Sequence, residues 1–116
     1  MSTWDEQIFT VDANTDFLDE LVDLDFDEVF EAVRDAVLLA AKQDPSKDEL
    51  LNGQAAATIA AIWAGAPFSA GEIAETYPFI RMRPDEMDEQ LVESAAAVLE
   101  EADTEQDLEQ FLEALA

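Results

Sequence analysis

Apolar residues recur every three or four positions along most of this chain, which is the spacing of an α-helix with one buried face. Residues 17–24 carry the first such stripe, and Asn14 or Thr15 can cap the helix that it predicts. Residues 1–13 contain several aromatic and aliphatic side chains, too many for a free tail. We therefore expect residues 1–13 to form an irregular or extended lead that packs on the helices.

A second stripe covers residues 26–41 and predicts a longer helix. Asp25 precedes it and Glu28 stands three residues further on, which is the spacing of a capping box. The Asp44-Pro45 pair should end this helix, because a residue that precedes proline disfavours the helical conformation.

Residues 54–64 predict the central helix of the fold, and a short turn precedes it. Ser46 and Glu49 again have the spacing of a capping box, and Asn52-Gly53 should break or kink the turn that they open through Leu50 and Leu51. Residues 54–64 are rich in alanine and apolar on nearly every side, as in a helix that is buried all round.

The C-terminal half predicts three further helices. A short one should start at Ser69 and a long one at Pro84, since proline suits the first helical position. Thr104 can cap a last helix. Between the first two, residues 77–83 form the one segment that we expect to be extended.

Together these elements predict an all-α fold, in which residues 1–116 form a single-domain bundle of about five to six helices around the alanine-rich one. Hydrophobic residues make up 49% of the chain, which is enough for one core. No apolar run approaches the roughly 20 residues of a membrane span. With no cysteine and no signal-peptide pattern, we expect a cytoplasmic protein.

Charge adds a constraint on partners. The chain has 29 acidic and 5 basic residues, a net charge of −24. Residues 1–58 hold 15 acids and 3 bases and residues 59–116 hold 14 and 2, so each half carries −12 and no acidic tail explains the total. Such a chain repels nucleic acids and anionic membranes and attracts basic proteins and metal cations. The oligomeric state stays open.

The missing residue types exclude most catalytic sites. Without histidine or cysteine the chain has no Ser-His-Asp or Cys-His arrangement and no ordinary zinc site. Its three glycines form no phosphate-binding loop. We expect no cofactor and assign no catalytic residue. A pair of carboxylates could still perform acid–base chemistry if burial raised the pKa of one of them.

One acidic segment has the spacing of calcium ligands. Asp12, Asn14 and Asp16 match the first three ligand positions of an EF-hand loop, and Asp23 falls on the twelfth. Phe17 stands at the sixth position, where the loop needs glycine for its sharp turn. The competing interpretation is a helix cap surrounded by solvated acids.

Tyr77, Arg81 and Arg83 form a candidate partner-binding set. In an extended segment Arg81 and Arg83 would share one face, and tyrosine and arginine are enriched at interface hot spots. In the competing interpretation the apolar residues of 79–82 pack into the core and the arginines pair with nearby acids.

The start of the chain resembles domain-of-unknown-function family 4259, an uncharacterised bacterial family of small acidic helical proteins. The residues that carry the resemblance are Trp4, Phe9, Asp12, Asp16, Phe17 and Leu21. The chain departs from the family pattern where Ser2, Asp5 and Gln7 replace glycines and Val11 replaces asparagine. The resemblance implies a helical fold over nearly the whole chain and no established activity.

These observations favour a non-enzymatic acidic binding module for a basic protein partner, of the immunity, inhibitor or nucleic-acid-mimic type. Two alternatives stay open. One is a metal-dependent or acid–base enzyme built on carboxylates, and the other is an acidic surface that serves solubility alone, with no specific partner.

Overall fold

The alanine-rich helix runs through the centre of a helical bundle. A computed structural model describes residues 4–42, 44–66, 71–82, 89–102 and 108–115. Within these ranges it contains α-helices and one 3₁₀ helix but no strand, so the all-α prediction is confirmed. The elements in chain order are α1 (Trp4–Thr10), α2 (Asp12–Val22), α3 (Phe26–Ala41), α4 (Lys47–Trp63), α5 (Gly71–Thr76), the 3₁₀ helix (Pro78–Ile80), α6 (Glu89–Glu100) and α7 (Glu109–Leu115).

The core forms around α4, in which every residue from Gly53 to Trp63 is buried. Helices α3 and α6 pack on α4 and on each other, while α1, α2 and α7 contact α4 from other sides. The radius of gyration is 12.5 Å, close to the value of about 13 Å that a folded chain of this length has. Small alanine side chains allow these neighbours to approach α4 closely.

The start of α4 confirms one local prediction and its interior corrects another. Ser46 and Glu49 form the expected capping box, in which the Ser46 hydroxyl accepts from the Glu49 amide at 3.1 Å and the Ser46 amide donates to the Glu49 carboxylate at 2.9 Å. The expected break at Asn52-Gly53 is wrong, because α4 continues through it. Gly53 serves a close approach instead, since a Cβ there would lie 2.0 Å from the Cβ of Ala40 on α3.

The described part of the lead, residues 4–13, forms α1 and the start of α2, which corrects the expectation of an irregular or extended segment over residues 1–13. It does pack on the bundle as expected: Trp4, Ile8 and Phe9 are buried. The Trp4 indole N–H donates to the Thr58 hydroxyl at 2.9 Å and so joins α1 to the middle of α4. The spacing of Trp4 and Ile8, four residues apart, fits one face of a helix, and the sequence interpretation missed this signal.

Helix α2 begins at Asp12, before the predicted caps. Asn14 lies inside α2 with its side chain buried, and its amide donates to the Ile8 carbonyl at 2.7 Å. Asp25 does occupy the N-cap position of α3, but its side chain makes no capping hydrogen bond. Asn14 and Asp25 show that a residue type suited to capping does not by itself form a capping hydrogen bond.

The predicted extended segment is wrong, because Pro78–Ile80 forms the 3₁₀ helix. The predicted caps Ser69, Pro84 and Thr104 lie outside the described residues. Within the described part of the chain, no helix combines the length and the apolar character needed to cross a bilayer.

Candidate functional site

Helices α2 and α3 carry a continuous series of exposed acids. All ten Asp and Glu residues from Asp12 to Asp35 are exposed, and Arg34 is the only basic residue of that interval. We call this the acidic α2–α3 surface. Its carboxylates face solvent, where they attract cationic groups over distances of about a Debye length, roughly 8–10 Å.

An apolar groove opens where α2 ends beside the start of α3. The groove encloses about 350 Å³. Leu21 and Val22 line it from the last turn of α2, and Leu24 lines it from the connecting turn. Phe26 and Val29 contribute the first turns of α3.

The opposite wall of the apolar groove comes from the 3₁₀ helix and the residues after it. Pro78, Phe79 and Met82 line this side. Asp25, the N-cap of α3, is the one charged residue among the described residues that line the groove. The groove is therefore an apolar surface that opens within an acidic one.

Three apolar side chains of the groove are unusually open to water. Val22 is 48% exposed, Leu24 37% and Met82 47%. They are three of the five large apolar side chains that are exposed in the described part of the chain, the others being Leu39 and Leu50. Apolar exposure concentrated at one place, with a polar border, marks an interaction site.

Trp63 holds the two walls of the groove in place. Its ring packs edge-on against Phe26 at 5.5 Å and stacks with Phe30 at 5.7 Å between ring centroids. Its indole N–H donates to the Phe79 carbonyl at 3.0 Å. One buried side chain at the end of α4 thus contacts both α3 and the 3₁₀ helix.

Tyr77 makes a second connection across the same region. Its hydroxyl donates to the Asp19 carboxylate on α2 at 2.5 Å. This hydrogen bond, together with burial, raises the pKa of Tyr77 to about 12 because both favour the neutral phenol. The 3₁₀ segment is therefore tied to α2 as well as to α4.

The predicted partner-binding residues have different positions in the structure. Tyr77 is buried and bonded within the molecule, so it positions the groove rather than offering a free side chain. Arg81 is exposed, whereas Arg83 lies outside the described residues. Met82, which the competing interpretation placed in the core, is exposed at the groove.

The four residues with calcium-ligand spacing do not form a loop. Asp12, Asn14 and Asp16 lie on α2, and Asp23 directly follows it. Eleven residues of helix separate the first from the last by about 16 Å, and the Asn14 side chain is buried and donates to the Ile8 carbonyl. No three His, Cys, Asp or Glu residues are grouped to hold a metal ion anywhere in the described ranges.

Sequence reasoning did not identify the groove, although one signal was present. Leu21 and Val22 are adjacent on α2, and neighbouring helical residues point about 100° apart. In a helix with one buried face, the two cannot both lie at the centre of that face, so one of them is expected nearer to solvent. Which one, and what lies beside it, depends on the packing of the 3₁₀ helix.

No protein-family model, curated protein or solved structure matches this chain. The resemblance to family 4259 therefore stays a prediction, and the function is argued from the groove and the acidic α2–α3 surface.

Proposed function

We propose that this chain is an acidic binding module for a basic protein partner. The observation that carries the proposal is the apolar groove that opens within the acidic α2–α3 surface. Stable protein interfaces combine a desolvated apolar centre with a polar border. Carboxylates around such a centre steer a basic partner toward it and speed the encounter.

The alternatives explain less of the structure. Solubility requires surface charge but no organised groove with exposed Val22, Leu24 and Met82. An enzyme built on carboxylates requires several of them converging in one pocket, and among the described residues Asp25 is the only acid that lines this groove. Among the three types of acidic binding module, an inhibitor or immunity protein agrees best with the groove. A nucleic-acid mimic needs only the surface charge and no apolar groove.

The first experiment identifies a partner and measures its dependence on salt. Immobilised protein is exposed to extract from its own cells at low ionic strength, eluted with NaCl, and the captured protein is purified for surface plasmon resonance. We expect a basic partner whose association slows steeply as NaCl rises. If no specific partner binds at low salt, the proposal is wrong.

A pair of matched variants then tests the surface. The first variant carries Asp23→Asn, Asp27→Asn and Glu31→Gln on the acidic α2–α3 surface, where all three residues are exposed. The control carries Glu93→Gln, Glu100→Gln and Glu113→Gln on α6 and α7, also exposed, with the same net charge.

The two variants should differ in association rate. We expect the α2–α3 variant to associate about tenfold more slowly than the control, because nearby charges dominate steering. Equal slowing in both variants would mean that total charge alone attracts the partner, and it would remove the acidic α2–α3 surface from the proposal.

A further inference from the structure

We infer that the apolar groove binds a basic segment of the partner that inserts one large apolar side chain between Val22, Leu24 and Met82. The inference rests on the proposed function and specifies the mode of binding. It commits to a peptide segment with lysine or arginine next to a leucine, phenylalanine or similar residue.

The dimensions of the groove suit such a side chain. Its volume of about 350 Å³ lies within the range of about 300–1,000 Å³ of protein pockets that bury ligands. Eight of the nine described residues that line it are apolar, so an inserted side chain gains apolar contact on several sides. Val22, Leu24 and Met82 would lose their contact with water at the same time.

The acidic residues at the border of the groove favour basic residues on either side of the inserted side chain of the partner. Asp25 lines the groove; Asp23 in the same connecting turn and Asp27 in the first turn of α3 are exposed close to it in sequence. Lysine or arginine residues beside the inserted side chain can pair with these carboxylates.

The same charge argues against other occupants. A second copy of the chain also carries a net charge of −24, so its approach is unfavourable. An anionic lipid surface is repelled for the same reason. A basic segment is the occupant that the border attracts.

The groove exists before any partner arrives. Trp63 contacts Phe26 on one wall and the Phe79 carbonyl on the other, and Tyr77 ties the 3₁₀ segment to Asp19. A site that is already formed loses little conformational entropy on binding. Binding therefore needs no rearrangement of the backbone around Val22, Leu24 and Met82.

Three synthetic peptides separate the contributions of charge and apolar contact. The first is an amphipathic helical peptide with lysines on one face and leucines around one phenylalanine on the other. The second keeps the lysines and replaces every apolar residue by alanine. The third keeps the apolar face and replaces the lysines by glutamate.

Binding is followed by NMR of ¹³C-methyl methionine. The chain has three methionines, and the Met82 signal is assigned from its loss in Met82→Leu. Dissociation constants come from calorimetric titrations at low salt, so that variants without the Met82 signal are measured in the same way. We expect the first peptide to shift the Met82 signal and to bind at least about tenfold more tightly than the alanine peptide. The glutamate peptide should not bind.

Two substitutions at exposed apolar positions provide the matched test. Met82→Gln changes a groove residue that is 47% exposed, and Leu39→Gln changes one on α3 that is 44% exposed. Leu39 is 13 residues from Phe26 along α3, or about 20 Å. We expect Met82→Gln to weaken the first peptide about tenfold and Leu39→Gln to leave it unchanged, with both variants retaining the circular dichroism of the parent chain.

Any other result would overturn a defined part of the inference. Equal affinity for the lysine peptides with and without apolar residues would show that the groove does not bind an apolar side chain, but it would leave the proposed function standing. Failure of both lysine peptides at low salt would overturn the proposed function as well. Equal effects of Met82→Gln and Leu39→Gln would mean non-specific apolar contact. A concentration-dependent dimer that Met82→Gln dissociates would show that a second copy occupies the groove.

Discussion

The contact between Gly53 on α4 and Ala40 on α3 gives the sharpest test of the fold. A Cβ at residue 53 would lie 2.0 Å from the Ala40 Cβ and 2.9 Å from the Ala36 carbonyl oxygen. Carbon atoms in ordinary contact are about 3.5–4.0 Å apart. The change Gly53→Ala therefore forces α3 and α4 apart by about 1.5–2 Å, because neither obstructing atom can rotate away.

Two opposing effects determine the size of the change in stability. Alanine is favoured over glycine within a helix by about 1 kcal/mol. Overpacking typically costs about 1–3 kcal/mol, and the short distance to Ala40 places this case at the upper end. We expect Gly53→Ala to lower the free energy of unfolding by about 2 kcal/mol. For a chain of this length that corresponds to a fall in Tm of about 8 °C.

Urea unfolding followed by circular dichroism at 222 nm measures this change. With a slope of about 2 kcal/mol/M, the midpoint should fall by about 1 M. The matched control is Gly71→Ala on α5, where a Cβ would meet only the Arg81 Nη2 at 3.9 Å. Its stability should stay within about 0.5 kcal/mol of the parent chain.

A compensating change identifies the cause. Adding Ala40→Gly to Gly53→Ala removes the nearest atom, but the Ala36 carbonyl still lies 2.9 Å away, so we expect partial recovery relative to Gly53→Ala. A Gly53→Ala protein as stable as its parent would refute the close approach of α3 and α4. Equal loss of stability in both alanine variants would show that the contact between α3 and α4 is not the cause.

Three further predictions concern titration, capping and salt. The single tyrosine should titrate in absorbance at 295 nm near pH 12 rather than near 10, and Asp19→Asn should move the titration toward 10. Because the folded pKa of Tyr77 is the raised one, the stability that its hydrogen bond contributes is complete below about pH 10 and is lost between about 10 and 12; a titration near 10 in the folded chain would contradict this. Ser46→Ala should lower the free energy of unfolding, measured with urea, by about 1 kcal/mol because the capping hydrogen bond is lost. Lys47→Ala should not lower it, because Lys47 is the first residue of α4 and not its N-cap. Moderate NaCl should raise Tm, since it screens repulsion among the carboxylates, and a fall in Tm would refute that reasoning.

The local signals in the sequence predicted most of the helices. Apolar spacing reports which side of a helix is buried, and it placed α3 and the buried half of α4 well. The Ser46–Glu49 capping box also forms as expected, since its hydrogen bonds join residues only three positions apart. Net charge is a sum over residues, so the sequence determined it completely.

Features that depend on distant residues were decided only by the tertiary structure. Gly53 looks like a helix breaker until α3 is placed against it, and only the packed bundle brings Trp4 of α1 to Thr58, which is 54 residues away in sequence. The apolar groove arises in the same way: Val22 and Met82 are 60 residues apart in sequence and line one cavity because Trp63 and Tyr77 hold their segments together. Apolar periodicity indicates which face of a helix a side chain lies on, but only the tertiary packing decides which residues that face contacts.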